Sequence, residues 1–110
     1  EFLIGLNEVQ IGMTMHHVGI TLARDRLSPA AFQRSVITAE MFNPQGALTA
    51  GFLDRVVAPE ELMPAALAVA QQMKKLNPSA HRATKLKARR VLLEALDSAM
   101  EADRTSSLIG

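Results

Sequence analysis

The sequence predicts a mainly helical chain with two short strands, and three observations carry that expectation. A capping Ser or Asn precedes Pro at Ser28-Pro29, Asn43-Pro44 and Asn77-Pro78. Each pair is a helix start: a side-chain oxygen for an N–H of the first turn, then a ring whose missing N–H costs nothing there. Apolar residues recur every three or four positions through most of the chain, the period of a half-buried helix. Two short apolar runs, Phe2–Leu6 and Phe52–Val57, have the length and composition of strands.

The elements follow in order. Phe2-Leu3-Ile4-Gly5-Leu6 reads as a buried strand, and Asn7-Glu8 as the turn after it. From Met13 to Arg26, Met15, Val18 and Leu22 fall at helical spacing, with Arg24 and Arg26 at the negative end of the dipole. The helix opened by Ser28-Pro29 buries Phe32, Val36 and Ala39. The one opened by Asn43-Pro44 stops at Gly51, and the Val56-Val57 pair marks the second strand. Pro59-Glu60-Glu61 opens a further helix with acids in its first turn, with Leu62, Ala66, Val69, Met73 and Leu76 on one face and Lys74-Lys75 at its end. From Ser79 to about Leu108 the pattern is one long helix, with Leu86, Arg90, Leu93, Leu96 and Met100 on one side.

Composition bounds the function. The 110 residues amount to about one domain. Hydrophobic residues at 48% and charged residues at 21% are the balance of a folded chain. A net charge of +1 gives no general reason to expect a nucleic-acid or membrane partner. The absence of Cys excludes disulfides, thiolate metal sites and thiol catalysis. No apolar run approaches the roughly 20 residues of a membrane span. The start lacks the basic, apolar, small-residue order of a signal peptide, and the expected compartment is cytoplasmic. Trp and Tyr are absent and Phe occurs four times, so Leu, Val, Met and Ala must build the core. With Glu1 rather than Met at the start, the expectation is a piece of a larger protein whose remainder completes that core. The alternative is a small Ala/Leu-rich helical domain.

Three groups of residues are candidates for chemistry. Glu8 lies among Leu6, Val9 and Ile11; a carboxylate in a dry setting has its pKa raised and shuttles protons near neutral pH. The competing reading is an exposed turn residue. His16 and His17 are adjacent, so on a helix they point about 100° apart and cannot grip one metal together as i,i+4 ligands do; no metal site is expected, and the pair reads as polar packing or as pocket lining. The basic run from His81 to Arg90 has no interleaved aromatic for base stacking. It precedes Glu94, Asp97, Glu101 and Asp103 on the same helical pattern, which favours a solvated mixed-charge face or a subunit contact. Gly5, Gly12 and Gly19 lie seven apart, which is no phosphate-binding loop.

Ile4-Gly5-Leu6-Asn7-Glu8-Val9-Gln10-Ile11-Gly12-Met13 resembles the active-site segment of the crotonase superfamily, the enoyl-CoA hydratases and isomerases. The resemblance continues in order through Glu40 to Ala47, Ala50-Gly51-Phe52-Leu53-Asp54-Arg55-Val56-Val57, Pro59-Glu60-Glu61-Leu62 and Ala83-Thr84-Lys85. It implies an α/β crotonase fold, a ββα spiral, of which this chain is the mostly helical C-terminal half. Residues 1–57 would be the end of the core with the active-site segment, and 58–110 a C-terminal helical oligomerisation region. It implies Glu8 as catalytic residue, and Leu6, Gly12, Met15 and His16 as substrate-pocket candidates. No cofactor is implied, coenzyme A being part of the substrate. The implied partners are an acyl-CoA thioester, the N-terminal half of the same protein, and further copies in a homotrimer or hexamer.

Within the family, a hydratase uses a second glutamate upstream, whereas an isomerase moves a proton between C2 and C4 with one. Asn7, where hydratases usually have Pro, resembles the Leu-Asn-Glu of the isomerases. Met15-His16-His17-Val18-Gly19 stands where the family commonly has Pro-Gly-Ala-Gly-Gly, so bulkier side chains would reshape the pocket. The family's frequent C-terminal tail is missing from this stretch, and with it any coenzyme A contact that the tail makes. The competing functions are a non-catalytic crotonase-fold binding or oligomerisation protein, and a basic helical module that binds nucleic acid.

Overall fold

Capping residues and prolines set the element order in the computed structural model, which describes residues 2–107. The order is β1 (Ile4–Gly5), α1 (His17–Arg26), α2 (Pro29–Phe32), a π-helical turn (Gln33–Ile37), β2 (Met41–Phe42), α3 (Pro44–Ala50), a 3₁₀ turn (Pro59–Glu61), α4 (Leu62–Met73), α5 (Pro78–Ala88) and α6 (Arg90–Ser107). All three expected caps form. Ser28 Oγ accepts from the Ala31 N–H at 3.2 Å, Asn43 Oδ1 from Gly46 at 2.7 Å and Asn77 Oδ1 from Ala80 at 2.9 Å. Each is worth about 1 kcal/mol to its helix.

The described residues divide into two compact units. One joins the chain up to Val56 with Leu92 onward, and the other is Val57–Val91. This partition differs from the regions 1–57 and 58–110, because residues from Leu92 on belong with the first unit.

In the first unit, β1 pairs antiparallel with β2, Ile4 opposite Phe42 and Gly5 opposite Met41. A Cβ on Gly5 would stand 2.6 Å from Met41 Sδ and 3.0 Å from the Glu40 carbonyl, so a larger residue would displace the Met41 side chain and crowd the ladder. The core gathers Met15, Ala23 and Leu27 with Phe32, Val36, Phe42 and the alanines 31, 47 and 50. Phe42 and Phe52 meet at 5.9 Å between ring centroids, and the Arg24 guanidinium lies 4.4 Å above the Phe32 ring. The expected stripe of Phe32, Val36 and Ala39 is buried. In the second unit no residue is buried, and the expected α4 face exposes Leu62, Val69, Met73 and Leu76.

Five expectations are corrected. Phe52–Val57 is not a strand. The N–H groups of Phe52 and Leu53 turn back to the Ala47 carbonyl at 2.9 and 3.4 Å and finish α3, and the second strand is Met41–Phe42 instead. The first strand is shorter than Phe2–Leu6, with Phe2 and Leu3 exposed. The helix expected from Met13 starts at His17, because Met13 is held in the turn before it. The long helix from Ser79 breaks at Arg89, which leaves helical geometry at φ −102°, ψ 11°; its expected end at Leu108 lies outside the described residues. The buried side of α6 is also rotated from the expected one. Leu92, Leu96, Ala99 and Asp103 are the less exposed residues at i, i+4, i+7 and i+11, while Leu93 and Met100 face out.

Candidate functional site

The site is built around one tight turn. Leu6 leaves β1 and packs against the core, and residues from Glu8 on wind through a single helical turn. The Met13 N–H donates to the Glu8 carbonyl at 2.7 Å and the Gly12 N–H to the Val9 carbonyl at 3.2 Å. Gly12 sits between them at φ +85°. These paired bonds around a left-handed glycine are a Schellman closure, normally found at the end of a longer helix. The turn therefore holds the Glu8 carbonyl, which accepts from Ile11 and Met13, without the help of a longer helix.

The Glu8 side chain is partly buried. Its Oε1 is shut off from solvent and has no hydrogen-bond partner among the described residues. A buried carboxyl oxygen without a partner is costly and needs a reason. Among the described residues, one other side-chain atom has this status: Oγ of Ser35, on the π-helical turn, in a residue with no exposed surface. Ser35 was not singled out from the sequence. The available signal was a hydroxyl beside Val36 in an apolar stripe.

Beside the Glu8 turn lies an open concavity of about 440 Å³. Val9, Gly12, Met13, Thr14 and Met15 form one wall, and Ile20, Val36 and Ile37 the rest. Its lining side chains are apolar apart from Thr14. Of the sequence candidates, Gly12 and Met15 line it. Leu6 faces the core instead, and His16 has a different task.

That task is at the start of α1. The first N–H groups of a helix have no partner within it, and here those of His17, Val18 and Gly19 are met by side chains, with Ile20 making the first helical bond. Ile20 donates to the His16 carbonyl at 3.1 Å, and Gly19 to His16 Nδ1 at 2.9 Å. His17 donates to Asp103 Oδ1 at 2.6 Å, and Val18 to Asp103 Oδ2 at 2.9 Å. Asp103 is thus a helix cap supplied from a distant stretch of chain, not a member of a solvated charge face. The Val18 N–H holds its carboxyl below the ordinary value of 3.8. Partial desolvation opposes this, while the His17 N–H and the electrostatic influence of the neighbouring His16 and His17 side chains add to it. His16 and His17 bring no metal cluster with them among the described residues.

The enoyl-CoA hydratase/isomerase family model matches residues 2–107. The chain belongs to that family.

Solved structures agree. An enoyl-CoA hydratase/isomerase family protein from Pseudomonas syringae is 68% identical, with a TM-score of 0.93 over 96% of this chain and 46% of its own. An enoyl-CoA hydratase from Mycobacterium marinum is 35% identical, with a TM-score of 0.88 over 94% of this chain and 46% of its own. A Mycobacterium tuberculosis protein, described in one structure as an enoyl-CoA isomerase and in another as a probable enoyl-CoA hydratase, is 34% and 33% identical, with TM-scores of 0.89 over 94% of this chain and 46% of its own and 0.90 over 96% and 44%. No curated protein sequence matches the chain. The chain spans about half the length of the family structures it matches, and its architecture is that of the mostly helical C-terminal half of the crotonase fold. No helix among the described residues is long and apolar enough to cross a membrane.

Proposed function

We propose that this family member acts on acyl-CoA thioesters, with Glu8 as the general acid/base and the concavity beside it taking the acyl chain. The observation that carries this reading is the buried, unpartnered Oε1 of Glu8, on a turn closed by Gly12. A carboxyl oxygen kept dry and free has the properties of a proton carrier awaiting a C–H bond.

The chemistry follows from the acidity of the substrate. The α-hydrogen of a thioester is too weakly acidic for a carboxylate in water. Two backbone N–H groups aimed at the thioester oxygen make the enolate accessible, and this is the large contribution. In our reading they come from chain N-terminal to these residues. Glu8 takes the proton from C2 of a 3-enoyl thioester and returns it at C4, so the double bond moves into conjugation. Asn7 before Glu8 favours this isomerisation over hydration, which uses a second glutamate. Coenzyme A enters as part of the substrate, and no resident cofactor or metal is needed. The protein works as a homotrimer or hexamer in the cytoplasm, in fatty-acid metabolism, without nucleic-acid or membrane partners.

Offering the native protein a 3-enoyl-CoA and a 2-enoyl-CoA separately tests this. Isomerisation produces conjugated-thioester absorbance from the first, and hydration removes it from the second. Turnover of neither, with tight binding of both, favours a non-catalytic crotonase-fold protein.

A further inference from the structure

We propose that Asp103 is a positioning residue for the wall of the concavity beside Glu8, acting through its clamp on the first turn of α1. The substrate side of this inference rests on the acyl-CoA reading above.

The wall segment is anchored twice. At one end, the Met13 N–H is tied to the Glu8 carbonyl. At the other, the N–H groups of His17 and Val18 are tied to the two oxygens of Asp103. Between these anchors run Thr14, Met15 and His16, in irregular backbone with no ladder or helix of their own. Met13, Thr14 and Met15 line the concavity, as does Ile20 in the first turn of α1. The first anchor is local and belongs to the Glu8 turn itself. The second crosses from a residue 86 positions away, and no neighbour in sequence replaces it, since His16 already serves Gly19 and Ile20.

The placement of Asp103 supports the same conclusion. It ends the stripe Leu92, Leu96, Ala99, Asp103, the less exposed side of α6. Both of its carboxylate oxygens accept a backbone N–H of α1, each a charge-assisted bond. The negative charge also meets the positive end of the α1 dipole. Asp103 touches none of the groups that would carry out proton transfer. Its effect reaches the substrate through the lining residues, while the Glu8 turn keeps its own closure.

The expected signature separates positioning from mere stability. In the native protein, Asp103→Ala should raise KM for a long-chain enoyl-CoA by about 3–30-fold, the range that loss of a helix cap commands. KM for the four-carbon thioester should rise less, and kcat should fall by a smaller factor than the long-chain KM rises. Asp103→Glu, which keeps both oxygens, should recover most of the loss. Amide hydrogen exchange supplies a readout independent of turnover. Residues 14–20 should exchange about 3–30-fold faster in Asp103→Ala, with residues 8–13 little changed. If the Ala variant does not fold, Asp103→Asn keeps one acceptor and reads the same contrast at smaller amplitude. Equal losses of kcat on both thioesters with KM unmoved overturn the proposal, as does unchanged exchange over residues 14–20. If the unaltered protein turns over neither thioester, the acyl-CoA reading fails, and the exchange result alone decides for or against the clamp.

Discussion

The carbonyl of Glu8 accepts the Met13 N–H at 2.7 Å, so the candidate acid/base and the first residue of the concavity wall are joined by one backbone bond. That bond exists because Gly12 turns left-handed at φ +85°. A Cβ at Gly12 would meet nothing within 4 Å, so the position asks for conformational freedom and not for space.

Gly12→Ala should therefore cost about 1 kcal/mol, the usual penalty of an L side chain in the left-handed region. Gly12→Asn should cost less, since Asn tolerates that region. Urea denaturation of the two variants checks the order; an Ala variant as stable as the parent removes the Schellman closure from the account.

Gly51 should behave differently. It ends α3 at φ +112°, and a Cβ there would stand 2.7 Å from the Arg26 carbonyl. Strain and overlap add, and the overlapping atom is backbone that cannot swing aside. Gly51→Ala should cost at least about 2–3 kcal/mol, more than Gly12→Ala. Equal melting temperatures for the two variants would contradict this.

The Asp103 carboxyl, held below 3.8 by the N–H groups of Val18 and His17, gives a pH test. A depressed pKa in the folded state stabilises fully above the unfolded value, and that stability is lost as pH falls through the folded value. The stability gap between the parent and Asp103→Asn should be open at neutral pH and should close as pH drops below 3.8. Denaturation at pH 7 and in stronger acid measures it; a gap that persists undiminished in acid shows that charge is not what Asp103 contributes.

Much of the local structure was legible because its causes are local. The three caps act over three residues, and Gly51 stops α3 where Gly was expected to stop it. What was not legible depends on distant partners. Phe52–Val57 has strand composition, but a strand needs a neighbour, and Met41–Phe42 took the place beside Ile4–Gly5. The buried side of α6 was misread because Asp103 looked like one acid among several, and its partners lie 85 and 86 residues away. Within the candidate site, the resemblance singled out Glu8 by position. Its buried oxygen, the left-handed Gly12 and the orphaned Ser35 hydroxyl emerged only with the backbone in place.

The second unit carries its own prediction. Leu62, Met63, Leu67, Val69, Met73 and Leu76 of α4 and its C-terminal flank are exposed, and nothing between Val57 and Val91 is buried. A peptide of that unit has no core to offset the entropy of ordering it. It should show weak, non-cooperative helicity by circular dichroism. A sharp, concentration-independent melt would mean that its exposed faces find a packing of their own.

The most direct measurement is the turnover of Glu8→Gln in the native protein. Gln keeps the shape and hydrogen-bonding reach of Glu but cannot exchange a proton. On an enoyl-CoA thioester, kcat should fall by about 10²–10⁴-fold, the worth of a positioned general acid/base. Thioester binding should stay within a few fold, because proton transfer is the step removed. A Gln variant with near-normal kcat would contradict the account and leave Glu8 a structural residue of its turn.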